Sequence, residues 1–234
     1  MKTITIPVFD RPEYFARTLE TLSKNDLTDY TLFINVEPCS KEIRALVESI
    51  DFMPTNIQFN NTRLRERLNP YTVIDRAFAS GSEFNCHFDS DLVISPDATL
   101  LLNWYFNTFK DKPLSYISYC LFNYGSDPNR PQDLIVLEKA FQGLGIGWFP
   151  EHWNIVKDFW FDDTLCLRMF GSSGWDWRIA AYAVQNNLGS IIPCFSRTNH
   201  IGRVGTCCTE EWQRKSFDNL IWNQELLIKD YYIK

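Results

Sequence analysis

The sequence predicts a single α/β domain, residues 1–234, with a mostly parallel sheet flanked by helices. Three observations carry this. Short β-rich apolar runs alternate with helix-period segments from the first residues onward. The chain has 234 residues, 45% of them hydrophobic, which is ample for one core and within the range of one domain. No repeat, low-complexity tract or linker interrupts it.

The elements follow in order. Thr3 to Val8 predicts a strand. Asp10 has the chemistry of an N-cap, with Pro12 in the first turn and Phe15, Leu19 and Leu22 on one helical face. Thr31 to Val36 predicts a second strand. Ser40 opens a helix carrying Ile43, Leu46, Val47 and Ile50 at helical spacing. Ile57 to Phe59 is a brief strand, and Asn69-Pro70 is expected to cap a third helix with Val73, Ile74, Ala77 and Phe78. Glu83 to Phe88 predicts a fourth strand ending at Asp89, Ser95-Pro96 a helix start, and Leu114 to Leu121 a fifth strand. The second half is less regular: a Gly-rich stretch at 143–148, then a helix from about Trp175 to Asn187 stopped at Gly189. In such sheets ligands bind beyond the carboxyl ends of the strands. Asp10-Arg11, Glu37 and Asp89-Ser90-Asp91 all stand there.

Composition narrows the function. The net charge of −6 argues against broad nucleic-acid binding, which runs on Lys and Arg, although the run Arg63, Arg65, Arg67 is a solvated face or a phosphate contact. Aromatics reach 15%, serving the core and suiting a site that stacks flat rings. Seven cysteines at irregular spacing, with Cys207 and Cys208 adjacent, favour free thiols in a reducing compartment. The N-terminus MKTITIPVF lacks a signal-peptide core, and no window approaches the ~20 apolar residues of a membrane span. The expected location is cytoplasmic, in a bacterial cell or a virus-infected host.

Three constellations carry chemistry. In HFDSDLVISPD, Asp89 and Asp91 follow an apolar strand two residues apart, which in extended chain puts both on one side. They form a divalent-cation site that bridges phosphates, or an acidic helix-capping turn. In GWDWR, Asp176 lies between Trp175 and Trp177. The indoles shield it and raise its pKa as suits a general base, or they wall a sugar site, or Asp176 is a plain N-cap among core tryptophans. In SRTNHIGRVG, His200 and Arg203 suit a pyrophosphate and its metal, or lie on an ordinary surface loop. His87 and His152 are weaker candidates.

FDRP at 9–12, FDSDLVISPD at 88–97, GLGIGW at 143–148, GWDW at 174–177 and SRTNHIGRVG at 196–205 together resemble the GT-A glycosyltransferases, within them the N-acetylglucosaminyltransferase I and protein O-mannose N-acetylglucosaminyltransferase group. The stretches span nearly the whole chain in the family's order. The resemblance implies a GT-A, Rossmann-like sheet. It also implies an inverting transferase that uses a UDP-sugar and Mn2+ (or Mg2+). Asp91 would be the metal ligand, His200 matches a metal-site His of some members, and Asp176 would be the general base. The donor would be held by Pro7, Phe9, Asp10, Arg11, Glu37, Arg63, Arg67, Asp89, Ser90, Trp175 and Arg203. Residues 1–125 would form the nucleotide-sugar half, and 126–234 the acceptor and catalytic half. The family usually has Glu-Asp-Asp where this chain has Asp-Ser-Asp. The acceptor is expected to be a glycan, a protein or a hydroxymethylated base of phage DNA. Two rival readings are a nucleotidyltransferase, which usually opens with a Gly-rich loop and Lys that residues 3–12 do not show, and a noncatalytic sugar-binding module.

Overall fold

The computed structural model describes residues 1–112, 114–203, 205 and 208–234. Cys207 therefore lies outside the described residues, and Cys39, Cys86, Cys120, Cys166 and Cys194 are free thiols.

The strands are β1 (Lys2–Val8), β2 (Tyr30–Val36), β3 (Thr55–Phe59), β4 (Phe84–His87), β5 (Leu92–Ile94), β6 (Tyr116–Cys120), β7 (Leu134–Glu138), β8 (Ile146–Trp148), β9 (Gly189–Pro193), β10 (Thr198–His200) and β11 (Tyr232–Ile233). The helices are α1 (Pro12–Leu22), α2 (Lys41–Glu48), α3 (Arg65–Ala79), α4 (Ala98–Phe109), α5 (Pro150–Phe159), α6 (Thr164–Phe170), α7 (Trp175–Gln185) and α8 (Glu210–Ser216). Nine strands form one sheet in the order β11-β7-β9-β6-β8-β4-β1-β2-β3. The run β3-β2-β1-β4 is wholly parallel, and β6 and β9 share its direction across the antiparallel β8. The expected α/β architecture with a mostly parallel sheet is present.

Both sheet faces are covered, so the central strands are largely apolar, and their buried polar residues Thr3, Thr5, Asn85 and His87 hydrogen-bond to one another. Ile4, Ile6, Val8, Leu32, Ile34 and Val36 pack with Phe15 and Leu19 of α1, Ile43 and Val47 of α2, and Leu101, Leu102 and Tyr105 of α4. On the other face Phe33, Ile117 and Trp148 pack with Val73, Ile74 and Ala77 of α3, Trp153 and Val156 of α5, and Ile179 and Ala183 of α7. Gly147 in β8 is required by this packing, since a Cβ there would stand 2.5 Å from the Phe84 ring.

Ser40 caps α2 as expected, accepting the Ile43 amide at 3.3 Å. Three boundaries differ from the sequence reading. α1 is capped by Arg11, not Asp10; Arg11 is in the left-handed region at φ 64°, with Pro12 following in the first turn. α3 starts at Arg65 rather than at Asn69-Pro70, because the Glu37 carboxylate, from across the sheet edge, accepts the amides of Leu64 (2.7 Å) and Arg65. Pro70 thus lies inside the helix. α7 ends at Gln185 with Asn187, not Gly189, in the left-handed conformation; Gly189 instead opens β9, where a Cβ would stand 2.5 Å from the Glu138 carbonyl.

A second, two-stranded ribbon escaped the sequence reading. β5 pairs antiparallel with β10, placing His200 opposite Leu92 and Thr198 opposite Ile94. The ribbon is anchored by the Asp97–Arg197 ion pair at 2.9 Å, both side chains fully buried. Asp97 also accepts from Ser95, Asn223 (2.8 Å) and Tyr231 (3.0 Å), and Arg197 also donates to the carbonyls of Phe195 and Gln132. Removing one partner of a buried pair strands the other charge. We expect Asp97→Ala to lose about 3–5 kcal/mol of stability in urea unfolding; a loss well under 1 kcal/mol would show that the pair does not anchor the ribbon.

Candidate active site

A cleft of about 1040 Å³ opens at the carboxyl ends of β1, β2 and β4. Its walls include Pro7, Phe9, Asp10, Arg11, Glu37, Arg63, Arg65, Arg67, Asp89, Ser90, Asp91, Trp175, Asp176 and His200, which the sequence reading named, and Tyr124 and Trp212, which it did not. Arg203 is placed elsewhere. It forms a two-point ion pair with Asp218 at 3.0 and 3.1 Å and does not line the cleft. The motif pattern could not reveal this, because Asp218 lies beyond the stretch that carries the motif.

The acidic triplet is held from two sides. α1 grips it through Thr18, whose hydroxyl donates to the Ser90 carbonyl at 3.0 Å, and Thr21, which accepts the Ile94 amide at 3.1 Å. The β5–β10 pairing then brings His200 against Asp91: Nε2 lies 3.3 Å from Oδ2. Arg11 reaches the same oxygen at 3.0 Å. Gly202 follows as Gly because a Cβ there would overlap the Asp91 carboxylate.

The two carboxylates of the triplet are electrostatically unequal. Burial would raise Asp91, but the hydrogen bond and charge of His200, with Arg11, more than offset it and hold Asp91 below the ordinary aspartate value. Asp89 is pushed up to about 7, by burial first and by the charge of Asp91 second. His200 is pulled down by burial and raised further by Asp91, the net being upward.

Among the described residues no three His, Cys, Asp or Glu side chains converge into a preformed metal cage. Asp91 and His200 nevertheless offer one oxygen and one nitrogen at a shared point. Hard divalent cations are commonly held by one or two protein ligands, with phosphate oxygens and water completing the shell. The donor set fits a cation that arrives with a phosphorylated ligand.

Asp176, also in the lining of the cleft, occupies the first turn of α7. The nearby amides of Trp177 and Asp176 act to lower its pKa, and Gly174 before it leaves the room: a Cβ at Gly174 would stand 2.6 Å from Oδ1. The two indoles do not sandwich it, contrary to the sequence expectation. Successive helical residues point about 100° apart. Trp175 stacks on Trp160 at 5.5 Å and 3° in the core, while Trp177 is 41% exposed beside Phe170. Solvent reaches Asp176 from the cleft, yet desolvation by the surrounding walls still raises its pKa. The wall includes Gly143, whose modest size leaves Asp176 Cβ 3.6 Å from where a side chain would begin.

Several cleft side chains are committed to the framework. Both Glu37 oxygens serve the start of α3, so the carboxylate shapes the wall instead of projecting from it. Arg67 donates to the Phe161 carbonyl at 2.6 Å and pairs with Asp163 at 3.5 Å. Arg178 is buried against Asp163 at 2.6 Å. Arg63 lies flat over Phe9, 3.9 Å from the ring centroid. His87 is buried behind Trp175 with Nδ1 on the Thr5 hydroxyl and is pushed down to about 3 by burial; His152 is buried in α5, away from the cleft.

No family model and no curated protein matches the chain. Solved structures do match in fold. A mannosyltransferase of Pyrobaculum calidifontis, PcManGT, in complex with GDP-Man and Mn2+, aligns with a TM-score of 0.51 at 12% identity, over 82% of this chain and 54% of that one. S. aureus TarS, residues 1–349, aligns with a TM-score of 0.56 at 13% identity, over 87% of this chain and 61% of that one. Its complex with UDP-GlcNAc gives 0.54 at 14% identity, over 88% and 60%. The chain spans a little over half the length of these structures. No helix among the described residues is long and apolar enough to cross a membrane. The chain thus shares the fold of these solved structures, and that likeness does not single out the N-acetylglucosaminyltransferase I group.

Proposed function

We propose that the chain is an inverting glycosyltransferase that moves a hexosyl or pentosyl group from a UDP-sugar to an acceptor hydroxyl, aided by Mn2+ or Mg2+. One observation carries this reading: the Arg11–Asp91–His200 cluster and the Asp176 carboxylate line one cleft, which opens at the carboxyl ends of parallel strands. That arrangement suits the separation of a leaving diphosphate from a proton acceptor.

In this reading residues 1–125 hold the donor and 126–234 receive the acceptor, a glycan, protein or modified DNA base. Pro7, Phe9, Asp10 and the Arg63–Phe9 stack face the nucleoside, on a wall shaped by Glu37 and Arg67. Asp89 and Ser90 lie beside the sugar diphosphate. Asp91 and His200 would hold the divalent ion, which when bound supplies positive charge to the diphosphate. Arg11, already within reach of Asp91, is placed to add its own charge there. Asp176 takes the proton of the acceptor hydroxyl as that oxygen bonds to the anomeric carbon. The bond from that carbon to the diphosphate breaks in the same displacement, and its electron pair leaves with the phosphate oxygen. The opposite-face attack inverts the configuration, and no covalent enzyme intermediate forms.

The binding half is tested by thermal shift with UDP-, GDP- and CDP-sugars, each with and without Mn2+. A Mn2+-dependent rise with UDP-sugars, absent in Asp91→Ala, is expected; a larger rise with GDP- or CDP-sugars would overturn the choice of nucleotide, and no rise with any would overturn the reading.

The chemical half is tested by turnover. Asp176→Asn keeps the shape but takes no proton; the side chain does not cap α7, whose N-cap is Gly174. Turnover is expected to fall ~10²-fold or more with donor affinity near wild type. The base must be ionised and its pKa is raised, so wild-type kcat should decline toward acid from above the ordinary aspartate range, a limb missing in the variant's residual rate. A fully active variant, or an inactive one that no longer binds donor, would remove Asp176 from this role.

A further inference from the structure

The two ring nitrogens of His200 face different partners. Nδ1 lies 2.7 Å from Oε1 of Gln213, and Nε2 lies 3.3 Å from Oδ2 of Asp91. Gln213 is only 2% exposed on α8, so little water competes for its amide. The amide orientation is determined by a second bond: its Nε2 donates to the backbone carbonyl of His200 at 2.7 Å. Flipping it would set Oε1 against that carbonyl, acceptor against acceptor. Oε1 therefore faces the ring as an acceptor. The Cys208 thiol also approaches this oxygen, at 3.9 Å, but a carbonyl oxygen has two lone pairs and keeps one for the imidazole.

Nδ1 consequently carries hydrogen. In the neutral ring this leaves the lone pair on Nε2, aimed at a carboxylate oxygen that is itself an acceptor. Two acceptors 3.3 Å apart repel unless a proton or a cation lies between them. Phe217 and Trp212 flank the ring with centroids at 5.0 and 5.9 Å, and Thr209 caps α8 by accepting the Trp212 amide at 3.2 Å. The helix that carries Gln213 is thus itself braced against the imidazole.

We propose that Gln213 is a positioning residue: it commits His200 to the Nδ1–H tautomer and so presents Nε2, together with Asp91, to a divalent cation. This rests on the reading of Asp91 and His200 as cation ligands and adds the residue that makes His200 competent.

The test measures Mn2+ affinity in the presence of UDP or GDP, from the free-ion EPR signal, for wild type, Gln213→Met and Gln213→Glu. Gln213→Met is expected to weaken Mn2+ ~10- to 100-fold, the usual effect of losing a partner of a metal-bound His. Gln213→Glu still accepts from Nδ1–H but sets its second oxygen against the His200 carbonyl, so it is expected to lose less affinity than Gln213→Met. Nitrogen-15 spectra of metal-free wild type, at a pH where His200 is neutral, supply a readout independent of any variant; the chain has only three His, so the signal is assignable. A protonated Nδ1 with unprotonated Nε2 is expected. The opposite tautomer overturns the proposal. Unchanged Mn2+ affinity in Gln213→Met, or equal loss in Gln213→Glu, overturns it as well. If wild type binds no Mn2+ with either nucleotide, the cation reading of Asp91 and His200 falls first and this inference with it.

Discussion

The buried Asp97–Arg197 pair is the constraint on which the candidate site depends. Moving two charges from water into a protein interior is costly, and their mutual attraction offsets this only when the remaining donors and acceptors are satisfied. Here they are: Asp97 gathers Ser95, Asn223 and Tyr231, while Arg197 takes two backbone carbonyls. The pair joins the segment six residues after Asp91 to the segment three residues before His200. With those ends locked, β5 and β10 have a single register, and a one-residue slip would turn His200 to the other face. The meeting of Asp91 with His200 follows from a charge pair that itself stands outside the cleft.

The cleft's electrostatics follow from that meeting. Asp91 is compensated by Arg11 and His200, and its charge in turn raises Asp89. Arg11 makes its contact from a left-handed backbone, a conformation that costs a β-carbon residue about 1–3 kcal/mol and persists only where the surroundings enforce it. α1 begins immediately afterward at Pro12, whose ring restricts the preceding residue away from the right-handed helical region. The Arg11 guanidinium balances the Asp91 charge that burial would otherwise make expensive.

The carboxyl-terminal segment belongs to the same system. Gln213 orients the imidazole, Asn223 and Tyr231 complete the buried charge network, and Phe217 closes the small cluster with Phe122 and Ile192. A segment with little regular structure is held by polar groups inserted one at a time, each satisfying a buried partner. The geometry of the cleft therefore depends on residues far along the chain from the strands at whose ends it opens.

Local chemistry determined much of this protein. Apolar runs alternating with helix-period segments set the parallel sheet, because strands covered on both faces are rich in apolar residues; Ser40 set the start of α2; and the position of Asp89-Ser90-Asp91 after a buried strand put the triplet at the cleft. Tertiary structure alone decided which side chains are free to act. Glu37, read as a ligand contact, is engaged at the start of α3, and the same contact moved that helix start from Asn69 to Arg65. Arg203, read as a phosphate contact, pairs with Asp218 outside the cleft. Trp175 and Trp177 part to core and surface, and Gln213, with no motif around it, meets His200 in the interior. The physical reason is common to all four. A strand or helix is encoded by neighbours within a few residues, whereas the partner of a charge or an amide is whichever group the fold brings within 3 Å, here from 13 to 28 positions away in the chain for His200 and Glu37.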